Sequence, residues 1–160
     1  MAAKEIREAR QLSATPEAPS LLRILPRGYY IRARMEDLYD AKCAIAVRVA
    51  TEYVKDFNAV LLDAGSTAEL IAGKLFTQRR FLSVLTNNMG AYAAYTAALE
   101  GLTEREEEQG ARPAPVPPGR IHGNELLITG GRYVDTYEAL LGEGTIESVE
   151  KFHPNVTIIG

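Results

Sequence analysis

The segment "AVLLDAGSTAELIAGKLF", from Ala59 to Phe76, predicts a strand that ends in a small polar loop and continues as a helix. Its first four residues form a continuous apolar run, which is typical of a strand buried on both faces. Gly65 allows the backbone to turn sharply and to approach a ligand closely. Ser66 then stands at the position of an N-cap, and Glu69 three residues later completes a capping-box pattern.

This loop has two interpretations. A helix N-terminus presents unpaired N–H groups and a partial positive charge, so a phosphate or carboxylate group binds well there. Strand-to-helix turns in other α/β proteins use the same residues merely to cap the helix. A short Gly-Ser-Thr turn is a weak motif, and both interpretations stay open on this loop alone.

Composition restricts the class of protein. The chain has 160 residues, of which 46% are hydrophobic and 24% charged, and its formal net charge is -3. This length suits one domain, and this balance of charge gives no overall electrostatic footprint for nucleic acid. Cys43 is the single cysteine, which excludes an intrachain disulfide. No apolar run approaches the roughly 20 residues of a membrane helix, and the N-terminus lacks an apolar signal core, so we expect a cytoplasmic protein with no membrane contact.

Helices and strands are predicted to alternate along the rest of the chain. Helices are expected at about 36–55, in "MGAYAAYTAALEG" and in "GEGTIESVEKF", and further strands in "FLSVLTNN", "NELLITGG" and "NVTIIG". Such alternation favours an α/β, Rossmann-like fold, with a mostly parallel sheet and helices on both faces. Residues 1–34 are interpreted as an N-terminal arm or linker, and 35–160 as the domain. The stretch at about 101–122, rich in Glu and Pro, is interpreted as an exposed excursion from it.

The predicted strands share a feature at their carboxyl ends. Four successive strands end in "DAGST", "TNN", "TGG" and "IIG", which are small polar or glycine-containing signatures. In parallel α/β sheets ligands bind at the carboxyl ends of the strands. Four such loops converging on one edge favour a pocket for an anion or a polyol.

An ordered set of motifs resembles one known family. The segments "AKCAIAVRVA", "VLLDAGSTAELIAGKL", "SVLTNNMGAYAA", "ELLITGGRYVDTYEALLGEGTIESV" and "VTIIG" together resemble the sensor domain of DeoR-type transcriptional repressors. That domain belongs to the superfamily of ribose-phosphate isomerase, glucosamine-phosphate deaminase and CoA transferases. The resemblance covers roughly Leu38 to Gly160 and lies in the order and spacing of the motifs. It implies a Rossmann-like fold that binds a phosphorylated sugar or related metabolite.

The resemblance also implies a set of ligand-binding residues. They are Asp63, Gly65, Ser66, Thr67, Thr86, Asn87, Gly130, Gly131 and Arg132. The Gly-Ser-Thr turn would hold the phosphate through backbone N–H and hydroxyl groups, while Asp63 and Asn87 would bind sugar hydroxyls. Arg132 would add charge, or would be a solvent-facing arginine of no special role.

The chain departs from that family in two respects. Family members carry an N-terminal winged helix-turn-helix, whereas residues 1–34 are too short and too rich in proline to build one. No direct nucleic-acid contact is therefore expected from this chain. The family's domain also continues beyond the strand that ends at Gly160, so the chain resembles a domain truncated at its C-terminus. If it folds as it stands, it exposes an open sheet edge, and we expect a homo-oligomer.

Two other functions remain open. The first is a sugar-phosphate isomerase or deaminase, for which the candidate acids and bases are Asp135, Glu143, His122 and His153. Both histidines are more typical of exposed loop residues, and we assign no catalytic residue. The second is a structural or interaction protein whose pocket is vestigial. We expect no metal, because one cysteine and two distant histidines form no ligand set, and no dinucleotide cofactor, because "DAGSTA" is not G-x-G-x-x-G.

Overall fold

A computed structural model of the chain describes residues 29–108 and 121–160. Its helices are α1 (Tyr29–Glu36), α2 (Tyr39–Arg48), α3 (Ser66–Gln78), α4 (Met89–Glu108) and α5 (Glu143–Glu150). A π-helical turn at Val49–Tyr53 continues α2. The strands are β1 (Ala59–Leu62), β2 (Ser83–Thr86), β3 (Glu125–Ile128), β4 (Arg132–Val134), β5 (Ala139–Leu141) and β6 (Val156–Ile158).

Four of these strands form one parallel sheet in the order β3-β2-β1-β6. The fold is therefore α/β and Rossmann-like, with helices flanking a parallel sheet, as the alternation predicts. In the register of the sheet, Leu62 pairs with Thr86, and Thr86 in turn pairs with Ile128. The carboxyl ends of β1, β2 and β3 therefore lie level with one another at one edge of the sheet.

The two faces of this sheet are covered differently. Val60, Leu62 and Val84 are fully buried, and they belong to a core cluster with apolar residues of α2, α3 and α4. Alternate residues of a strand point to opposite faces, so Leu61 lies on the other face. There α5 covers the carboxyl-end side, where its Val149 borders the same cavity as Leu61.

The structure adds elements that the sequence patterns do not predict. Helix α1 occupies the end of the segment interpreted as an N-terminal arm, whose residues 1–28 lie outside the described part. A two-stranded antiparallel hairpin of β4 and β5 follows β3. The sequence around Tyr137 to Leu141 predicts an extended stretch, which coincides with the second strand of that hairpin and not with the first.

The first part of the stretch at about 101–122, interpreted as an exposed excursion, is helical, and its exposure stays a prediction. Helix α4 continues through these residues as far as Glu108, since Glu and Arg are good helix formers. Residues 109–120, which contain the prolines of this stretch, lie outside the described part.

Asn124 joins three segments at the amino end of the sheet. It is fully buried, and its Oδ1 accepts a hydrogen bond of 2.9 Å from the Leu82 N–H. Its Nδ2 donates to the Arg79 carbonyl at 2.8 Å. The Asn124 carbonyl accepts in turn from the Tyr95 hydroxyl at 3.2 Å. One amide side chain therefore satisfies backbone groups that surround the start of β2.

We predict that Asn124→Ala destabilises the protein by about 2–4 kcal/mol, because buried backbone donors and acceptors lose their partner. Urea denaturation followed by circular dichroism measures this loss. Asn155→Ala is the matched control, since Asn155 is exposed and its Oδ1 accepts one bond, from the Ala59 N–H at 2.7 Å. Equal losses in the two variants would contradict the role assigned to burial.

Candidate functional site

Three polar residues lie side by side at the carboxyl ends of the central strands. Asp63, Asn87 and Thr129 each follow directly after one of the mutually paired residues that end β1, β2 and β3. Because the side-chain period of a strand is two, all three occupy the face of the sheet that also carries Leu61. The register of the sheet thus brings two predicted ligand residues, Asp63 and Asn87, together with Thr129.

A cavity of about 210 Å³ lies over these residues, and we refer to it as the strand-end cavity. Its polar residues are Asp63, Asn87, Thr129, Thr145 and Thr157. Its apolar residues include Leu61, Val149 and Ile158. Since a water molecule occupies about 30 Å³ in the liquid, this space suits a small metabolite. Polar and apolar residues alternate around it, since Leu61 of β1 lies beside Asp63 and Thr145 lies with Val149 on α5.

Thr86, another predicted ligand residue, faces away from this cavity. It is fully buried, and its Oγ1 accepts a hydrogen bond of 3.0 Å from the Asn88 N–H. Thr86 pairs with Leu62, so the alternation that directs Asn87 towards the cavity directs Thr86 towards the helices of the core.

The Asp-Ala-Gly-Ser-Thr loop adopts a tighter geometry than its sequence predicts. Gly65 is the N-cap of α3, with a φ of 128°, and no side chain caps the helix. The predicted capping box of Ser66 and Glu69 is therefore wrong. The first bond of the helix runs from the Glu69 N–H to the Gly65 carbonyl. The N–H groups of the residues between them consequently have no acceptor within the helix.

The two hydroxyl residues of this loop point to different surroundings. Ser66 is buried, and its Oγ donates at 3.4 Å to the Arg34 carbonyl near the end of α1. The Lys42 Nζ donates to the same carbonyl oxygen. Thr67 borders a different cavity, on the other side of β6. The loop thus offers its backbone N–H groups to a ligand more readily than its side chains.

That second cavity has a volume of about 470 Å³ and is mainly apolar. It is bordered by Ile45, Val49 and Tyr53 of the α2 segment, by Ile71 of α3 and by Val156 and Ile158 of β6. We refer to it as the β6 groove.

The two predicted glycines after β3 hold α5 close to the hairpin. The Gly130 N–H donates to the Ser148 Oγ at 3.1 Å, and the Gly130 carbonyl accepts from the Thr145 Oγ1 at 2.8 Å. Gly131 has a φ of 123°, and a Cβ there would lie 2.5 Å from the same Thr145 oxygen. Both glycines are therefore needed for close packing, and the Gly130 N–H is already engaged.

Other predicted residues lie away from the strand-end cavity. Arg132 is exposed at the start of β4 and borders neither cavity. The candidate acids and bases of an isomerase or deaminase also border neither cavity; they are Asp135, Glu143, His122 and His153.

Asn88 is a structural residue of this site that the resemblance does not identify. It is buried, its Nδ2 donates to the Gly65 carbonyl at 3.1 Å, and its Oδ1 accepts from the Gly90 N–H at 2.9 Å. It therefore joins the loop after β1 to the start of α4. The sequence signal is the second asparagine of "TNN" directly before a helix, where Asn is a favoured cap.

The carboxyl group of Glu69, close to the Asn88 contacts, is in surroundings that disfavour its charged form. Burial raises the pKa of its carboxyl above the usual value, and the nearby Glu138 carboxylate raises it further. The Glu69 carboxyl lies against Gly90, in space that a Cβ at that position would occupy. Because the folded protein binds this proton more tightly than the unfolded chain, the contribution of Glu69 to stability is present at low pH. It is lost as the pH rises through the raised pKa.

We therefore predict that Glu69→Gln raises the melting temperature at pH 7, because the neutral amide avoids the desolvation of a charge. The difference from the wild type should shrink as the pH falls below the ordinary pKa of a glutamate, where both side chains are neutral. Thermal melts at a series of pH values measure this. The exposed Glu147, which pairs with Lys151 at 3.7 Å, provides the control Glu147→Gln. A melting temperature lowered by Glu69→Gln at pH 7 would contradict the prediction.

Comparison with known proteins gives no relative. No protein-family model, curated protein or solved structure matches the chain. In the described ranges, no helix is long and apolar enough to cross a membrane. Within the same ranges, no group of three His, Cys, Asp or Glu residues could hold a metal ion. Function is therefore inferred from the residues and their geometry.

Proposed function

We propose that the chain is a cytoplasmic ligand-sensing domain that binds a phosphorylated sugar or a related metabolite, as in DeoR-type transcriptional regulators. The observation that carries the proposal is that Asp63 and Asn87 lie on one face of the sheet and border the strand-end cavity, and that Asp63 stands two residues before Gly65, the N-cap of α3. In parallel α/β folds this is the region where ligands bind.

The strand-end cavity supplies the contacts for the sugar. An ionised Asp63 only accepts hydrogen bonds, so it suits the hydroxyl groups of a polyol and repels a phosphate. The Asn87 Nδ2 donates to the Leu140 carbonyl at 3.3 Å, which leaves Oδ1 as a further acceptor. The apolar residues of the same cavity, Leu61 and Val149, would contact the C–H groups of a sugar.

The N-terminus of α3 supplies the contacts for the phosphate. The N–H groups of Ser66 and Thr67 precede the first bond of the helix and carry its partial positive charge. Since the Ser66 hydroxyl lies beneath α1, we assign the phosphate to the backbone of this turn rather than to that side chain. Asn88 holds the turn in position through the Gly65 carbonyl.

This arrangement favours sensing over catalysis. An isomerase or deaminase needs an acid and a base against the carbon atoms of the sugar. The four candidate acids and bases border neither the strand-end cavity nor the β6 groove. Any effect on transcription would act through oligomerisation or through a separate DNA-binding region.

We also propose that the chain forms a homo-oligomer through β6 and the groove beside it. In the described residues, β6 pairs only with β1, so the other edge of β6 presents unpaired backbone groups. Large apolar side chains are exposed next to it, namely Ile45 (48%), Tyr53 (59%) and Ile159 (78%). A second copy that covers this surface would bury all three.

Ile45→Asp should therefore convert the oligomer to a monomer, because a buried carboxylate at the interface lacks a partner. Light scattering coupled to size-exclusion chromatography measures the mass. Ile146→Asp is the matched control, since Ile146 is 59% exposed on α5 and borders neither cavity. A wild-type chain that is monomeric at high micromolar concentration would refute the homo-oligomer.

The ligand is tested by thermal shift of the purified chain with ribose 5-phosphate, glucose 6-phosphate and fructose 6-phosphate. We expect one of them to raise the melting temperature, because it binds only the native state. The parent sugars and inorganic phosphate should give much smaller shifts. In Asp63→Ala the affinity for the same phosphosugar should fall roughly 10- to 100-fold, through loss of a hydrogen bond to a charged acceptor.

Asp135→Ala is the matched control for the loss of an acidic side chain, because Asp135 is exposed and borders neither cavity. It should keep the wild-type shift. A protein that melts cooperatively and responds to none of the phosphosugars would refute the sensor and favour a structural protein with a vestigial pocket.

A further inference from the structure

Thr129 has a hydroxyl group whose hydrogen bonds are not made within the protein. The residue is 4% exposed and lies directly after β3, where its N–H donates to the Thr86 carbonyl at 3.0 Å. Its Oγ1 is buried and has no hydrogen-bond partner. In the described part of the chain, it is the only buried side-chain nitrogen or oxygen in this condition. An unpaired polar atom in the interior weakens the folded state, so its presence requires an explanation.

The neighbouring polar side chains contrast with Thr129. The Thr145 Oγ1 donates to the Gly130 carbonyl at 2.8 Å, and the Ser148 Oγ donates to the Gly144 carbonyl at 2.6 Å. The first bond joins α5 to the loop after β3, and the second lies within α5. Thr129 makes no such bond, although it borders the same cavity as Thr145.

The chemistry around Thr129 is that of a hydroxyl-binding site. Asp63 and the Asn87 Oδ1 only accept hydrogen bonds, whereas a threonine hydroxyl both donates and accepts. A ligand with several adjacent hydroxyl groups can donate to the first two and exchange either kind of bond with the third. A phosphate ester at neutral pH is mostly dianionic and offers mainly acceptors, so it is a poor partner for the Asp63 carboxylate. This wall of the cavity therefore fits a polyol.

We propose that Thr129 is a specificity-determining residue, whose Oγ1 hydrogen-bonds one hydroxyl of a bound sugar and thereby selects against the analogue that lacks it. This inference rests on the proposed function, because it places the sugar part of the ligand in the strand-end cavity. A site that hydrogen-bonds a ligand hydroxyl rejects the deoxy analogue strongly, since a buried polar group is then left unpaired.

The test combines the stability of the unliganded protein with its affinity for a ligand. Thr129→Val keeps the shape of the side chain and removes the unpaired oxygen, so the melting temperature without ligand should stay the same or rise. Thr145→Val is the matched control. It removes a hydroxyl that is bonded in the protein, and it should lower the melting temperature by about 2–4 °C.

The affinity is measured by calorimetry with the phosphosugar that gives the largest thermal shift in the wild type. Thr129→Val should weaken its binding at least about tenfold, and Thr129→Ser, which keeps the hydroxyl, should bind within about threefold of the wild type. Among 2-deoxyribose 5-phosphate and 2-deoxyglucose 6-phosphate, an analogue that lacks the recognised hydroxyl should bind wild type and Thr129→Val equally.

The outcomes separate the two proposals. If the wild type binds the phosphosugar and Thr129→Val binds it with the same affinity, the proposed role of Thr129 is wrong. The proposed sensor function is then unaffected. A large loss of stability in unliganded Thr129→Val also overturns it, because the hydroxyl would then be bonded inside the protein. If the wild type binds none of the sugars or phosphosugars, both proposals fail, and the unpaired oxygen has a different explanation.

Discussion

The parallel register of β1, β2 and β3 is the constraint on which the candidate site depends. Leu62, Thr86 and Ile128 are level in the sheet, so the residue after each of them emerges at the same height and on the same face. A shift of one residue in either pairing would turn Asn87 or Thr129 away from Asp63. The buried apolar pattern of β1 and β2 on the helical face fixes that register, and the geometry of the site therefore follows from the packing of the core.

A second level of structure converts these strand ends into a cavity. Asn88 joins the loop before α3 to the start of α4, and the glycines after β3 allow α5 to approach the hairpin closely. Gly144 takes part in the same contact, since a Cβ there would lie 2.9 Å from the Gly131 nitrogen. The loop before α3 is thus held by the Asn88 side chain, and α5 is held by close contacts at glycines that larger side chains would prevent.

The sequence predicts the framework of this protein better than the details of its site. Apolar runs and helical periodicity identify the four parallel strands and the helices between them, because burial imposes those patterns directly. The hairpin strand at Arg132–Val134 and helix α1 escape prediction, because their exposed positions impose no clear apolar period. Within the site, a motif such as "TNN" shows that polar residues follow a strand. It does not show which of them faces the cavity. Successive residues of a strand point to opposite faces, so the answer depends on how the strands are aligned in the sheet.

Unusual local geometry points to function only when nothing inside the protein accounts for it. At the amino end of the sheet, Phe57 and Phe81 adopt left-handed φ angles of 67° and 57°, which are unfavourable for large side chains. Their N–H groups bond the Arg80 and His122 carbonyls, and their rings stack at 4.8 Å. Those contacts compensate for the strained backbone and leave nothing for a ligand to explain. Thr129 is different, because its backbone is regular and fully bonded while its buried hydroxyl has no partner. The sugar hydroxyl that we propose to bind beside Asp63 and Asn87 would complete this bond.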